Sequence, residues 1–144
     1  MDERKTWGTG VMVRAMAFSL ALMGSAALAQ ARVPLPEDRA IEDGLTLVAI
    51  GNELRKNCDA VSPKYLKTYN FVRGLHSRAK SLGYSEAEIE AYLDSDPDKA
   101  RVDARARAYL TARGVDYASP ETFCTVARAE IANGTSVGNF LREN

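Results

Sequence analysis

The chain has 144 residues, with 19 Lys+Arg balanced by 19 Asp+Glu, one His, two Cys and 46% apolar residues. That length accommodates one domain, and the balanced charge argues against nucleic acid and anionic membrane as main partners, since both select a net basic surface. Two cysteines cannot build a thiolate cage for zinc or a cluster, and one histidine leaves little for a His-based metal or catalytic site, so no metal or cofactor is expected.

Residues 1–29 read as a secretory signal peptide. Arg4, Lys5 and Arg14 supply positive charge, the stretch Ala15 to Ala27 is uncharged and mostly apolar, and Ala27-Leu28-Ala29 places small residues at −3 and −1 of a cleavage site after Ala29. A membrane anchor is the alternative, but the uncharged run Ala15 to Ala31 falls short of the about 20 strongly apolar residues that a spanning helix needs. No Cys follows the run, which excludes a bacterial lipid anchor there. The acidic Asp2-Glu3 is unusual for such a segment, and Met12 makes a more ordinary start than Met1. Residues 1–29 carry three of the 19 Lys+Arg and two of the 19 Asp+Glu, leaving the remainder at a net charge of −1. Export predicts a periplasmic or secreted protein with no membrane span after cleavage. It also takes Cys58 and Cys124 into an oxidising compartment, where a structural disulfide is the default. That bond would close a loop of about 67 residues.

The segment 30–40, with Pro34 and Pro36, reads as an extended arm before a single helical domain over 41–144. The predicted helices run over 37–57, 63–82, 86–94, 97–113 and 120–133, with a short helical turn near 136–142. Ser62-Pro63, Asp96-Pro97 and Ser119-Pro120 each read as an N-cap followed by proline in the first turn, and Ser85-Glu86-Ala87-Glu88 is a capping box. Gly83, Gly114 and Gly134 stand where helices should stop. The first helix is the least secure, because Leu45 to Ile50 also fits a buried strand. No other segment offers that strand a partner, so helix is expected there despite about 1 kcal/mol for each of Gly44 and Gly51.

In the second helix, Leu66, Tyr69, Val72, Leu75, Ala79 and Leu82 recur at a spacing of three to four and predict one inward face. Ile89, Tyr92 and Leu93 do the same in the third, and Phe123, Val126, Ala127 and Ile131 in the fifth. Alanines at 100, 104, 108 and 112 in the fourth either admit a close neighbour or simply favour helix. The fold class expected is all-α: a small bundle of about five helices, with no sheet, stapled by Cys58–Cys124.

Sites of chemistry are sparse. Asp94, Asp96 and Asp98 open like a calcium loop, but Lys99 and Arg105 stand where it needs Gly and a bidentate Glu. Glu86, Glu90 and Asp94 share one helix face and read as solvated. His76 has no Cys, His or acidic neighbour one turn away and reads as a boundary residue. Lys99, Arg101, Arg105, Arg107 and Arg113 make the fourth helix basic, and a solvated face is the expectation. Asn133-Gly134-Thr135 fits a glycosylation acceptor but reads as a helix stop. No phosphate-binding loop or nucleophile–base set is visible, so no catalytic residue is assigned and the balance leans away from an enzyme.

The stretches ELRKNCDAVSPKYLK, LHSRAKSLGYSEAEIEAYL and RAYLTARGVDYASPETFCTVARAEIANGTSVGNFLR resemble an uncharacterised family of small exported proteins from alphaproteobacteria. The resemblance covers residues 34–142. Its most specific elements are Asn57-Cys58, Gly83-Tyr84-Ser85, Arg113-Gly114-Val115 and Phe123-Cys124. It implies a bacterial, periplasmic setting and supplies no activity. The functional expectation is a helical binding or accessory protein of the cell envelope, acting on an envelope protein or a small ligand through a surface groove. The alternative is a periplasmic acid-stress chaperone, by analogy of design with small single-disulfide helical chaperones. Acid would neutralise the carboxylates, leave Lys, Arg and His76 charged, and loosen the fold.

Overall fold

The computed structural model describes residues 32–144; the signal-peptide reading, with Ala27 and Ala29 at the cleavage site, lies outside them. Five helices follow in chain order: α1 (Arg39–Asn57), α2 (Tyr65–Ser81), α3 (Glu86–Asp94), α4 (Asp96–Ala112) and α5 (Glu121–Ala132). Every helix boundary lies within two residues of its predicted place. The all-α reading therefore holds, and Leu45 to Ile50 are helical.

One small sheet was not expected. β1 (Val61–Pro63) pairs antiparallel with β2 (Leu141–Glu143), in the register Val61↔Glu143, Ser62↔Arg142 and Pro63↔Leu141. The predicted helical turn near 136–142 becomes a 3-10 turn over Gly138–Phe140 followed by β2. Three residues are too few to show a period of two. The pairing is specified instead by burial of Val61 and Leu141, which are 2% and 1% exposed. Within the stretch read as an extended arm, Leu35–Glu37 form a 3-10 turn that buries Leu35, and α1 begins at Arg39.

The stops are as predicted: Gly83, Gly114 and Gly134 have φ of 88°, 97° and 58°, where a side chain would be strained. The box at the start of α3 is also formed. The Glu88 amide donates to the Ser85 hydroxyl, and the Ser85 amide donates to the Glu88 carboxylate at 2.7 Å. The three Pro-marked starts shift. Ser62-Pro63 belongs to β1, where a missing N–H is tolerated at an edge, and Lys64 opens α2 without a side-chain cap. Ser95, rather than Asp96, caps α4 by accepting from the Asp98 amide. Ser119 closes a turn with Asp116, and Pro120 leads into α5.

Helix α1 is shared by two cores. The larger gathers Ile50 and Leu54 of α1, Ala106 and Leu110 of α4, and Phe123, Val126 and Ala127 of α5, with Val137 and Leu141 from the C-terminal segment. The smaller joins Leu35, Ile41, Ala79 and Ile89. Helix α4 turns Ala106 and Leu110 inward, and its alanines at 100, 104, 108 and 112 are exposed, which favours the helix-former reading of that row. The predicted inward face of α2 is rotated. Thr68, Phe71, Leu75 and Ala79 face the protein, while Leu66, Tyr69 and Val72 are exposed. Phe71 is next to Val72 in sequence and about 100° round the helix from it, and periodicity alone could not choose between the two faces.

Three buried carboxylates bind the helices to one another. Asp38, the α1 cap, accepts from the Ile41 amide and takes both Nε and Nη2 of Arg78 from α2, at 2.8 and 2.7 Å. Glu42, 5% exposed, accepts from Arg101 Nη2 and Nε of α4 at 2.7 and 3.2 Å, from Arg105 Nη1 at 3.4 Å, and from the Tyr92 hydroxyl of α3. Glu130 of α5, 2% exposed, is held by Arg113 and by the Tyr109 hydroxyl of α4. Of the basic residues expected on a solvated face, Arg101, Arg105 and Arg113 thus turn toward buried acids, Lys99 meets the exposed Asp94, and Arg107 stacks on the Tyr117 ring at 4.0 Å.

Cys58, at the end of α1, and Cys124 in α5 lie at disulfide distance, with S–S 2.02 Å and Cα–Cα 5.1 Å. Loop closure of this length stabilises by about 4 kcal/mol in the chain-entropy estimate. Cys58→Ser, Cys124→Ser and the double variant should therefore lose similar stability, because either change opens the loop. Thermal melts with and without reductant read this directly, and an unmoved midpoint counts against the link.

At Glu42 the order of effects is set by which charge remains buried. The double variant Arg101→Ala/Arg105→Ala leaves the carboxylate without a countercharge and should cost about 3–5 kcal/mol. Glu42→Gln leaves two half-exposed guanidinium groups that water can reach, and should cost less. Chemical denaturation of both variants gives the ranking.

Candidate functional site

The face of α1 made by Leu45, Val48, Ala49 and Asn52 follows an i, i+3, i+4, i+7 spacing, yet these residues are not sealed into either core. They floor a mostly apolar groove of about 480 Å³. Phe71 of α2 and Phe140 of the C-terminal segment form one wall, with ring centroids 4.9 Å apart. Leu93 of α3 and Val102 of α4 form the other.

The groove exists because α2 approaches α1 unevenly. Gly44 lets Leu75 come close: a Cβ at position 44 would fall 2.5 Å from Leu75 Cδ2. Toward its N-terminus α2 rests instead on Phe140, which holds Phe71 against the C-terminal segment. Gly138 fixes that segment against α5, since a Cβ there would overlap the Glu130 carbonyl and lie 2.7 Å from the Ile131 amide nitrogen.

Polar groups at the groove are few. Thr68 Oγ1 lines it, is buried, and has no hydrogen-bond partner among the described residues. An unsatisfied buried hydroxyl costs about 1–3 kcal/mol, which a polar group of an occupant would recover. Tyr92 contributes its ring. Burial and the neighbouring Glu42 carboxylate push its hydroxyl pKa up, so it stays protonated and keeps donating to Glu42. Charges of both signs stand at the rim. Arg55 donates to Asn52 Oδ1 at 3.0 Å, and Lys99 donates to the Asp94 carbonyl at 3.0 Å. The Ser95 hydroxyl and the Arg101 guanidinium hold the Asp98 carboxyl below its ordinary value. The arrangement suits an elongated apolar body with a single hydrogen-bonding group. The volume falls within the range of about 300–1,000 Å³ typical of small-ligand sites.

The other residues singled out in the sequence serve the fold. Asp94 meets Lys99, Asp96 opens α4, and Asp98 meets Arg101. Glu86 pairs with His76 Nε2 at 2.6 Å and Lys80 Nζ at 3.0 Å, which draws its carboxyl below the usual value and ties α3 to α2. His76 is thus a link between helices. Thr68, Phe71 and Phe140 were not singled out. The aliphatic stripe of α1 was legible as a helix face, but nothing local marks which part of such a face is left uncovered.

No curated protein and no solved structure matches the chain. A family model described as a family of unknown function (DUF5333) matches residues 33–142, and the chain belongs to that family.

Proposed function

We propose that this chain is a small binding protein of the cell envelope, periplasmic or secreted, that holds an apolar or amphipathic ligand in the groove between α1, α2 and α4. The observation that carries the reading is the groove itself: half-buried Leu45, Val48, Phe71 and Phe140 around an unpartnered buried hydroxyl. The setting is supported by the cysteine pair at disulfide distance and by the signal-like segment in the sequence. No described helix is long and apolar enough to cross a membrane.

Ala49→Leu adds carbon atoms to the groove without introducing charge. A naphthalene-sulfonate dye that binds the wild type saturably should bind this variant at least about tenfold more weakly, a loss of about 1.4 kcal/mol. Aliphatic compounds bearing one polar group should displace the dye from the wild type. The melting temperature, read in parallel, reports whether the fold is kept. Saturable binding that survives Ala49→Leu unchanged excludes the groove.

A second reading, the acid-stress chaperone, is favoured by the carboxylates that join the helices. Arg78 holds the Asp38 carboxyl below its ordinary value. Burial works to raise the Glu42 carboxyl, but Arg101, Tyr92 and Arg105 outweigh it and hold that group low as well. Arg32 and Ser85 bring Glu88 down to about 2. Groups lowered in the folded state bind fewer protons there than in the unfolded chain. Their contribution is complete above the unfolded carboxylate values of about 4 and is lost as pH falls through the lowered ones. Melting temperature should therefore drop between about pH 4 and pH 2, and less steeply in Glu42→Gln. If the chaperone reading holds, apolar dye binding rises over the same interval while light scattering stays flat. Aggregation at the onset of unfolding counts against it.

A further inference from the structure

Helix α2 has two apolar faces. Thr68, Phe71, Leu75 and Ala79 face the protein. Tyr65, Leu66, Tyr69 and Val72 form a second face and are 68%, 75%, 62% and 42% exposed. They are four of the six large apolar side chains left exposed among the described residues. Single exposed apolar residues are ordinary, whereas a contiguous set marks an interaction surface.

The charge on this helix is of one sign. From Ala60 to Ser85 the sequence contains no Asp or Glu, and it carries Lys64, Lys67, Arg73, Arg78 and Lys80. Arg78 and Lys80 are taken up by Asp38 and Glu86. Lys64, Lys67 and Arg73 make no ion pair among the described residues, and neither does Arg142 of β2; their contacts are with neutral groups, Lys64 with the Asn139 carbonyl at 3.3 Å, Lys67 with the Phe140 ring at 5.3 Å and Arg142 with the Ser62 hydroxyl at 3.1 Å. Arg142 meets the first turns of α2 at a shallow depression lined by Lys64, Tyr65, Leu66, Lys67, Asn70 and Arg142, with no acidic residue in the lining. The balanced charge of the whole chain hides this cluster, because the acids that offset it sit on other elements.

We propose that this face of α2 docks on the surface of a bilayer that contains anionic phospholipid. Lys64, Lys67, Arg73 and Arg142 meet the phosphates. Leu66 and Val72 reach the boundary of the acyl chains, and Tyr65 and Tyr69 lie at the headgroup level with their hydroxyls wet. Cations alternate with apolar side chains along one exposed helix, which suits a flat, deformable headgroup layer. An acidic protein would have to supply a groove shaped to that helix. The inference is independent of what the groove on the other side of α2 holds.

The test uses the protein purified after export, with Leu66→Trp in a Trp7→Phe background, which makes residue 66 the single tryptophan whether or not residues 1–29 have been removed. Phosphatidylcholine vesicles with and without phosphatidylglycerol are the probes, some of them carrying brominated acyl chains. The expected result is a blue shift and bromine quenching at residue 66 with phosphatidylglycerol present, and neither without it. Each cation near the surface contributes about fivefold to binding, so Lys67→Glu/Arg73→Glu in the same background should weaken the response at least about twentyfold. Both positions are exposed, and an unchanged melting temperature confirms that the fold is kept. Equal quenching by neutral vesicles, quenching that survives the charge reversal, or no quenching at all overturns the proposal. A response to soluble polyglutamate with none to vesicles assigns the face to an acidic protein and overturns it equally.

Discussion

The geometry of the bundle depends on the buried carboxylate of Glu42. It projects from the first turn of α1 into a site that only positive charge and hydroxyl donors can make tolerable, and Arg101, Arg105 and Tyr92 supply both. An apolar side chain there would pack against α4 in several registers. A carboxylate that must meet a guanidinium fork accepts only a narrow range of positions for α4 and α3. Asp38 does the same for the end of α2, and Glu130 for the junction of α4 with α5. The apolar cores are small, and these contacts fix how the helices around them are set.

That division explains what could be read from the sequence. Element ends are written locally: the box at Ser85 and Glu88 and the glycines at 83, 114 and 134 act within a few residues, so the helix limits were legible. The cysteine pair was legible because only two cysteines are present. The ion pairs were not. Glu42 and Arg101 are 59 positions apart, and each alone looks like any surface charge. The β1–β2 pairing joins Val61 to Glu143 across most of the domain and carries no periodic signature. The exposed face of α2 was legible as apolar but assigned to the interior, because a hydrophobic stripe does not say whether it is covered by the protein or by something else. The groove was missed for the same reason: it is a space left where α2 rests on Phe140 at one end and closes on Gly44 at the other.

Helix α2 therefore separates two surfaces of different character. One side supplies Thr68 and Phe71 to a mostly apolar groove with charges of both signs at its rim. The other presents tyrosines and leucine among cations, with no acid in the depression at the start of the helix. The helix runs unbroken through Gly74, whose Cα faces open space, from its exposed N-terminal half to the half bound by Asp38 and Glu86. The anchored half holds the helix in place, so the exposed half can remain uncovered without unwinding.

The cysteine pair also bears on how the domain carries tension. Cys58 and Cys124 are separated by 66 positions, and α2, α3 and α4 lie wholly between them. A force applied between residue 32 and residue 144 reaches that segment only through non-covalent contacts, the Arg32–Glu88 ion pair and the β1–β2 pairing, while the covalent path of the bridged pair crosses the two sulfurs. Without the bridge, the intervening segment would add about 220 Å of extensible chain. With it, the covalent path leaves that segment out, so α2, with its share of the groove wall and of the basic face, cannot be drawn out into extended chain even after β1 and β2 part.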